Sequence, residues 1–262
     1  MFRYLLQGGD LTSFVISILL TLPVVLLSLS LHELAHGFVA YKCGDPTARN
    51  FGRLTLNPMK HINPLGFLCM VLFRFGWANP VPINTRNFKN PRRDMALSAL
   101  AGPVSNVILG IVSALLLRLS LLGVERYFAK DIEAIYTSII TQTQAAVSKP
   151  FLMVAIVVMM IYLSVLINFS YAVFNFIPVP PLDGSRIFYI LLPPKWYFGI
   201  MKYERIIMYV MLALLWTGAL TLPLNWIVGG MESGLFYLLG MGSNTQPGLI
   251  LVLIQYLISS FL

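Results

Sequence analysis

Long apolar runs separated by short polar stretches set the pattern of this chain. The first, 11–31, has enough residues to cross a hydrocarbon core of roughly 30 Å, and its helix is expected to continue to Tyr41. Pro23 lies inside it and removes one backbone hydrogen bond, which predicts a kink. Further spans are expected at 95–122, 151–176 and 206–222. The last run, 249–262, is short for a span and reads as a partial crossing. A shorter apolar piece at 64–75 is either re-entrant or interfacial. The pattern predicts an all-α polytopic membrane protein with about five to six transmembrane or partly embedded helices. It reads as a single integral-membrane domain over 1–262, with a core at 11–205 and C-terminal helices at 206–262.

Composition agrees: 58% of residues are hydrophobic and 11% charged, and a mean hydropathy of +0.79 is far too apolar for a soluble globule. Charge adds an orientation. Nine Lys or Arg stand against two acids between Lys42 and Asp94, so this loop is assigned to the cytoplasmic side. The stretch 123–149 balances its charges and suits the outer side, 185–205 returns to the inner side, and 225–248, carrying only Glu232, reads as external. The formal charge of +8 therefore encodes topology, and no nucleic-acid partner is expected. Arg92 and Arg93 read as headgroup anchors. Cys43 and Cys69 lie in the inner loop, where thiols stay reduced. The N-terminal run has no small-residue cleavage site and reads as a retained span, not a signal peptide.

Turn signals crowd the inner loop, among them Asn57-Pro58, Asn63-Pro64, Asn79-Pro80 and Asn90-Pro91. Two extended candidates lie within it, 52–56 and 79–84, and their prolines and glycine suit an edge or a turn. They predict a small β hairpin or sheet at the cytoplasmic membrane surface.

Chemistry concentrates at the end of the first run, in Leu31-His32-Glu33-Leu34-Ala35-His36-Gly37. Residues i and i+4 of a helix share a face, so His32 and His36 present two imidazoles to one point, the geometry of a metal-ligand pair. Glu33 points to the neighbouring sector, where it can act as general base on a metal-activated water. The bland alternative is a set of polar residues facing headgroups. Ionisable groups in an apolar segment, however, are expensive in lipid unless paired or metal-bound. His61 has no partner at ligand spacing and reads as a loop or interfacial histidine.

The 151–176 run ends in Asn175-Phe176-Ile177-Pro178-Val179-Pro180-Pro181-Leu182-Asp183-Gly184, where the prolines stop the helix. This topology returns Asp183 to the membrane depth of His32 and His36. A catalytic zinc site wants three protein ligands and one open position, and Asp183 completes such a set at one zinc per chain. Its alternative role is to cap the next helix. Asn175 is a candidate oxyanion donor, its alternative an interhelical hydrogen bond.

His-Glu-x-x-His in one span and Asn-x-x-Pro-x-Pro-Pro-Leu-Asp-Gly in a later one resemble the site-2 protease family of intramembrane metalloproteases. The small-residue run Ala101-Gly102-Pro103-Val104-Ser105-Asn106 resembles a recurring family sequence between those motifs. The resemblance covers about residues 30–186. It implies zinc on His32, His36 and Asp183, with Glu33 catalytic. It also implies a protein substrate with a transmembrane segment, cut near the cytoplasmic face of a bacterial or archaeal cell membrane. No insert is long enough for the PDZ or CBS modules that the family often carries, so this looks like a minimal member. An unwound substrate segment could pair with an extended edge at 52–56 or 79–84 by β-augmentation, unless those segments merely pack on the bundle. The competing readings are a zinc hydrolase with a non-protein substrate and a metal-binding transporter using the same three ligands. Oligomeric state is open.

Overall fold

A computed structural model describes residues 11–73, 76–141, 147–191 and 193–241. In chain order the α-helices are α1 (Leu11–Lys42), α2 (Thr47–Asn50), α3 (Pro64–Phe73), α4 (Pro91–Tyr127), α5 (Ala129–Thr141), α6 (Lys149–Phe176), α7 (Asp183–Ile187), α8 (Pro194–Met201), α9 (Glu204–Thr217) and α10 (Thr221–Leu238). Among the described residues, three stretches are long and apolar enough to cross a membrane: Phe14–Lys42, Pro91–Tyr127 and Lys149–Phe176. These are the α1, α4 and α6 helices, and the chain is a membrane protein.

The three long helices pack on one another, with α4 against both α1 and α6. Small residues set the spacing. A Cβ on Gly110 would lie 2.8 Å from the Phe169 ring, so only glycine lets α4 approach α6 there. One end of the bundle is apolar, with Leu117, Leu121 and Val124 of α4 buried against Phe151, Ala155 and Val158 of α6. Toward the other end buried polar residues take over, among them Ser28, His32, His36, Ser98, Asn106 and Asn168. The candidate chemistry lies there. Helix α1 runs unbroken through Pro23, and the Ser17 and Val24 carbonyls accept from Thr21 Oγ1 and Ser28 Oγ. Such side-chain bonds help to satisfy backbone groups away from water.

One expected span is changed. The 206–222 span is two helices, because Gly218 takes a left-handed conformation (φ 80°) and ends α9. The 14 residues of α9 reach only about 21 Å, short of a hydrocarbon core. Residues 225–238, in the stretch assigned to the outer side, belong to α10, which packs on α6 and buries Val228. The run at 249–262 lies outside the described residues.

No strand forms among the described residues. One antiparallel bridge joins Ile62 to Ala78, residues 52–56 follow turns and bends, and 79–84 is without a ladder. The reason is a shortage of donors. Pro80 and Pro82 have no N–H, while the Val81 and Asn84 N–H groups donate to the carboxylates of Glu33 and Asp45. The apolar 64–75 piece supplies α3, folded back so closely that a Cβ on Gly66 would collide with the Trp77 backbone.

Candidate metal centre

His32 and His36 lie one turn apart on α1, their rings edge to face with centroids 4.5 Å apart. Asp183 is the first residue of α7, directly after the proline-rich turn that ends α6; Leu182, not Asp183, occupies the cap position. The turn is tight, since a Cβ on Gly184 would lie 2.3 Å from the Ile177 carbonyl oxygen. The result is a triangle of atoms. His32 Nε2 and His36 Nε2 are 3.0 Å apart, and each is 3.1 Å from Asp183 Oδ2.

The other ring nitrogens decide what this triangle is. His36 Nδ1 is 2.7 Å from the Ser98 carbonyl oxygen, which can only accept, so the ring carries its proton on Nδ1. His32 Nδ1 is 2.6 Å from Asn106 Oδ1, also an acceptor. With the rings neutral, both Nε2 atoms turn lone pairs toward a carboxylate oxygen that is itself buried without a hydrogen-bond partner. Three acceptors at this spacing repel one another unless a cation lies among them. A tetrahedral ion bonded at about 2.0–2.1 Å holds its ligand atoms about 3.3 Å apart, so the residues fit zinc. Among the described residues this is the group of His, Cys, Asp and Glu with metal-ligand geometry.

Helix α4 closes the site from behind. A Cβ on Gly102 would stand 2.4 Å from His36 Nε2 and 2.6 Å from His32 Cε1, so the helix backbone lies directly against both rings. Pro103 follows and deprives this turn of an N–H.

Glu33 is buried beside the triangle without joining it. Its Oε2 accepts from the Val81 N–H at 2.9 Å, which ties the 79–84 segment to α1. That segment is held a second time by buried Asp45, whose carboxylate accepts from the Asn84 N–H (2.7 Å), Asn87 Nδ2 (2.7 Å) and Thr47. Burial alone would raise the Asp45 pKa, but hydrogen bonds from Thr47, Asn87 and Asn84 outweigh it and hold the carboxyl below the usual range. A depressed folded-state pKa stabilises above the unfolded value of about 3.9 and is lost as pH falls through the folded one. Limited proteolysis at Arg86 and Lys89 is expected to speed up as the pH drops below about 4. In Asp45→Asn the cleavage is already faster at neutral pH and depends less on acid; parental resistance in the variant would show that Asp45 does not hold the loop.

The structure thus gathers four of the five candidate residues: His32, His36, Asp183 and, alongside, Glu33. Asn175 stands differently, donating from Nδ2 to the Tyr171 carbonyl one turn back at 3.1 Å. His61 lies in a turn of the inner loop, as expected. It is fully buried, with Nε2 donating to the Thr55 carbonyl at 2.8 Å, and it stands apart from the triangle. Sequence reasoning missed the Val81 N–H, the Ser98 carbonyl and the buried amides of Asn106 and Asn168. Only the two asparagines left a signal, as amides inside apolar runs.

Sequence comparisons identify the family. The sequence model described as "Peptidase family M50" matches residues 20–218. A Bacillus subtilis protein named "Putative zinc metalloprotease YwhC" is 38% identical over 170 residues, 65% of this chain and 68% of that protein. A Mycolicibacterium smegmatis protein named "Putative zinc metalloprotease Rip2" is 29% identical over 163 residues, 61% of this chain and 52% of its own length. No solved structure matches. With the family match running from α1 through α9 and both histidine and aspartate motifs inside it, this chain belongs to peptidase family M50, the site-2 protease family.

Proposed function

We propose that this membrane metalloprotease is a zinc endopeptidase that cuts membrane-embedded or juxtamembrane segments of protein substrates, with its site near the cytoplasmic face. The observation that carries the reading is the triangle of His32 Nε2, His36 Nε2 and Asp183 Oδ2, with a carboxylate alongside that is not part of it. The basic 42–94 loop, which follows α1 directly, supports the cytoplasmic placement in a bacterial or archaeal cell membrane.

Zinc held by His32, His36 and Asp183 supplies Lewis-acid activation of water and of the peptide carbonyl. Glu33 takes the proton from the attacking water and returns it to the leaving amine, and the Val81 N–H holds its carboxylate in place for both steps. Asn175 keeps one amide N–H beyond its bond to Tyr171 and is the proposed oxyanion donor. A helical substrate hides its carbonyls in its own hydrogen bonds, so cleavage requires local unwinding. The 79–84 segment beside Glu33 would offer such a segment carbonyl acceptors and not a full ladder, since its Val81 and Asn84 N–H groups are already taken.

The test measures metal per chain by mass spectrometry, together with cleavage of transmembrane-segment substrates in proteoliposomes. The parental chain is expected to hold about one zinc. Asp183→Ala should hold markedly less and cleave nothing, while Asn175→Ala keeps its zinc and slows by about 10²–10³-fold. Full zinc in Asp183→Ala would place the third ligand elsewhere. Zinc flux without any cleavage would instead favour a transporter.

A further inference from the structure

The two histidines of the metal centre owe their ring orientation to different devices. His36 is set directly, by a main-chain carbonyl of α4. His32 is set by a side-chain amide, and an amide can face either way. Asn106 rotated by half a turn would present its NH₂ to His32, favour a proton on Nε2 and remove the lone pair from the metal side.

What prevents that rotation lies on another helix. The Ser164 carbonyl of α6 can only accept, so Asn168 turns Nδ2 toward it at 2.8 Å. Asn168 Oδ1 must then face Asn106, where it accepts from Nδ2 at 2.8 Å. Asn106 Nδ2 also reaches the Ser28 carbonyl of α1 at 3.4 Å. Its Oδ1 is left for His32 Nδ1 at 2.6 Å. Both asparagines are fully buried, so no water competes for these bonds. The direction of the chain of amides is thus imposed from its far end, with the longer contact to the Ser28 carbonyl acting in the same sense.

We propose that Asn168 is a positioning residue for the metal centre, acting through Asn106 to hold His32 in the Nδ1-protonated tautomer. The proposal rests on the zinc reading above. It makes metal affinity depend on a residue that contacts none of His32, His36 and Asp183, and it ties the middle of α6 to the site on α1.

The test uses the full chain purified in detergent, with Asn168→Leu and Asn168→Asp. Zinc affinity is read by competition with a chelator, and the tautomer from ¹⁵N spectra of the histidine-labelled, zinc-free protein at mildly alkaline pH. The chain has only three histidines, so three ring pairs are seen and His61 serves as an internal reference. Asn168→Leu is expected to weaken zinc by about 10–100-fold and to shift the His32 proton toward Nε2. Asn168→Asp, neutral in this buried site, can donate its O–H to the Ser164 carbonyl and accept from Asn106. It should stay within about threefold of the parental affinity, with the parental tautomer. Should the leucine variant not fold, Asn168→Ser removes the same acceptor without added bulk and is read in the same way. Parental zinc affinity with an unchanged His32 ring in the leucine or serine variant overturns the proposal, as does equal zinc loss in the aspartate variant. A parental chain that binds no zinc would overturn the metalloprotease reading instead.

Discussion

Glu33→Gln is expected to lower cleavage of a transmembrane-segment substrate by about 10²–10⁴-fold or more while leaving about one zinc per chain. The two readouts separate because the geometry separates them. Glu33 lies outside the triangle formed by His32, His36 and Asp183, so removing its charge leaves the three ligand atoms untouched. Its structural duty, accepting the Val81 N–H at 2.9 Å, passes to the glutamine carbonyl oxygen, so the 79–84 segment stays docked. What glutamine cannot do is take a proton from water near neutral pH. Cleavage in proteoliposomes and metal content on the same preparation decide the matter. Loss of zinc along with activity would mean that Glu33 supports the metal directly; cleavage at the parental rate would remove it as the base.

The second large effect is expected at a residue with no functional group. Gly102→Ala should reduce zinc affinity by at least about tenfold and destabilise the chain by about 1–3 kcal/mol, the usual range for an overpacked core. The added methyl would stand 2.4 Å from His36 Cε1 and Nε2 and 2.6 Å from His32 Cε1. Neither ring can swing aside, because Ser98 and Asn106 hold the two Nδ1 atoms. The clash must therefore be relieved by separating α4 from α1. Gly123→Ala, on the same helix, is the control: its Cβ would meet nothing within 4 Å, and alanine favours the helix by about 0.5–1 kcal/mol. If both variants bound zinc like the parent, the close approach of α4 to the histidines would not matter for the site.

Much of this arrangement can be read from residue spacing alone. His32, Glu33 and His36 stand at positions i, i+1 and i+4 of one helix, so local periodicity is enough to predict their relation. Asp183 follows from topology, because a helix of known length ending in prolines must deliver its next residues to a definable depth. The partners of these groups are not local. Nothing in the apolar 95–122 run says that Asn106 and the Ser98 carbonyl turn toward α1, since hydropathy carries no information about which face meets which neighbour. The hairpin at 52–56 and 79–84 failed for a related reason. Extended, proline-bearing sequence predicts strand geometry, but Glu33 and Asp45 captured the N–H groups a ladder would have used. The break at Gly218 was legible in Thr217-Gly218-Ala219 followed by Pro223, but apolar continuity hid it.

The triangle also has a direction in time. Its first two corners leave the ribosome early, on α1, and the third follows nearly 150 residues later, behind α4 and α6. A nascent chain that has inserted only its first two long helices offers a two-point grip, weaker and open on one side. The third point arrives once α6 has been threaded and its proline turn has come back to the starting depth. Closure of the site therefore reports completed insertion, and a chain interrupted before Asp183 carries the motif glutamate without the means to arm it.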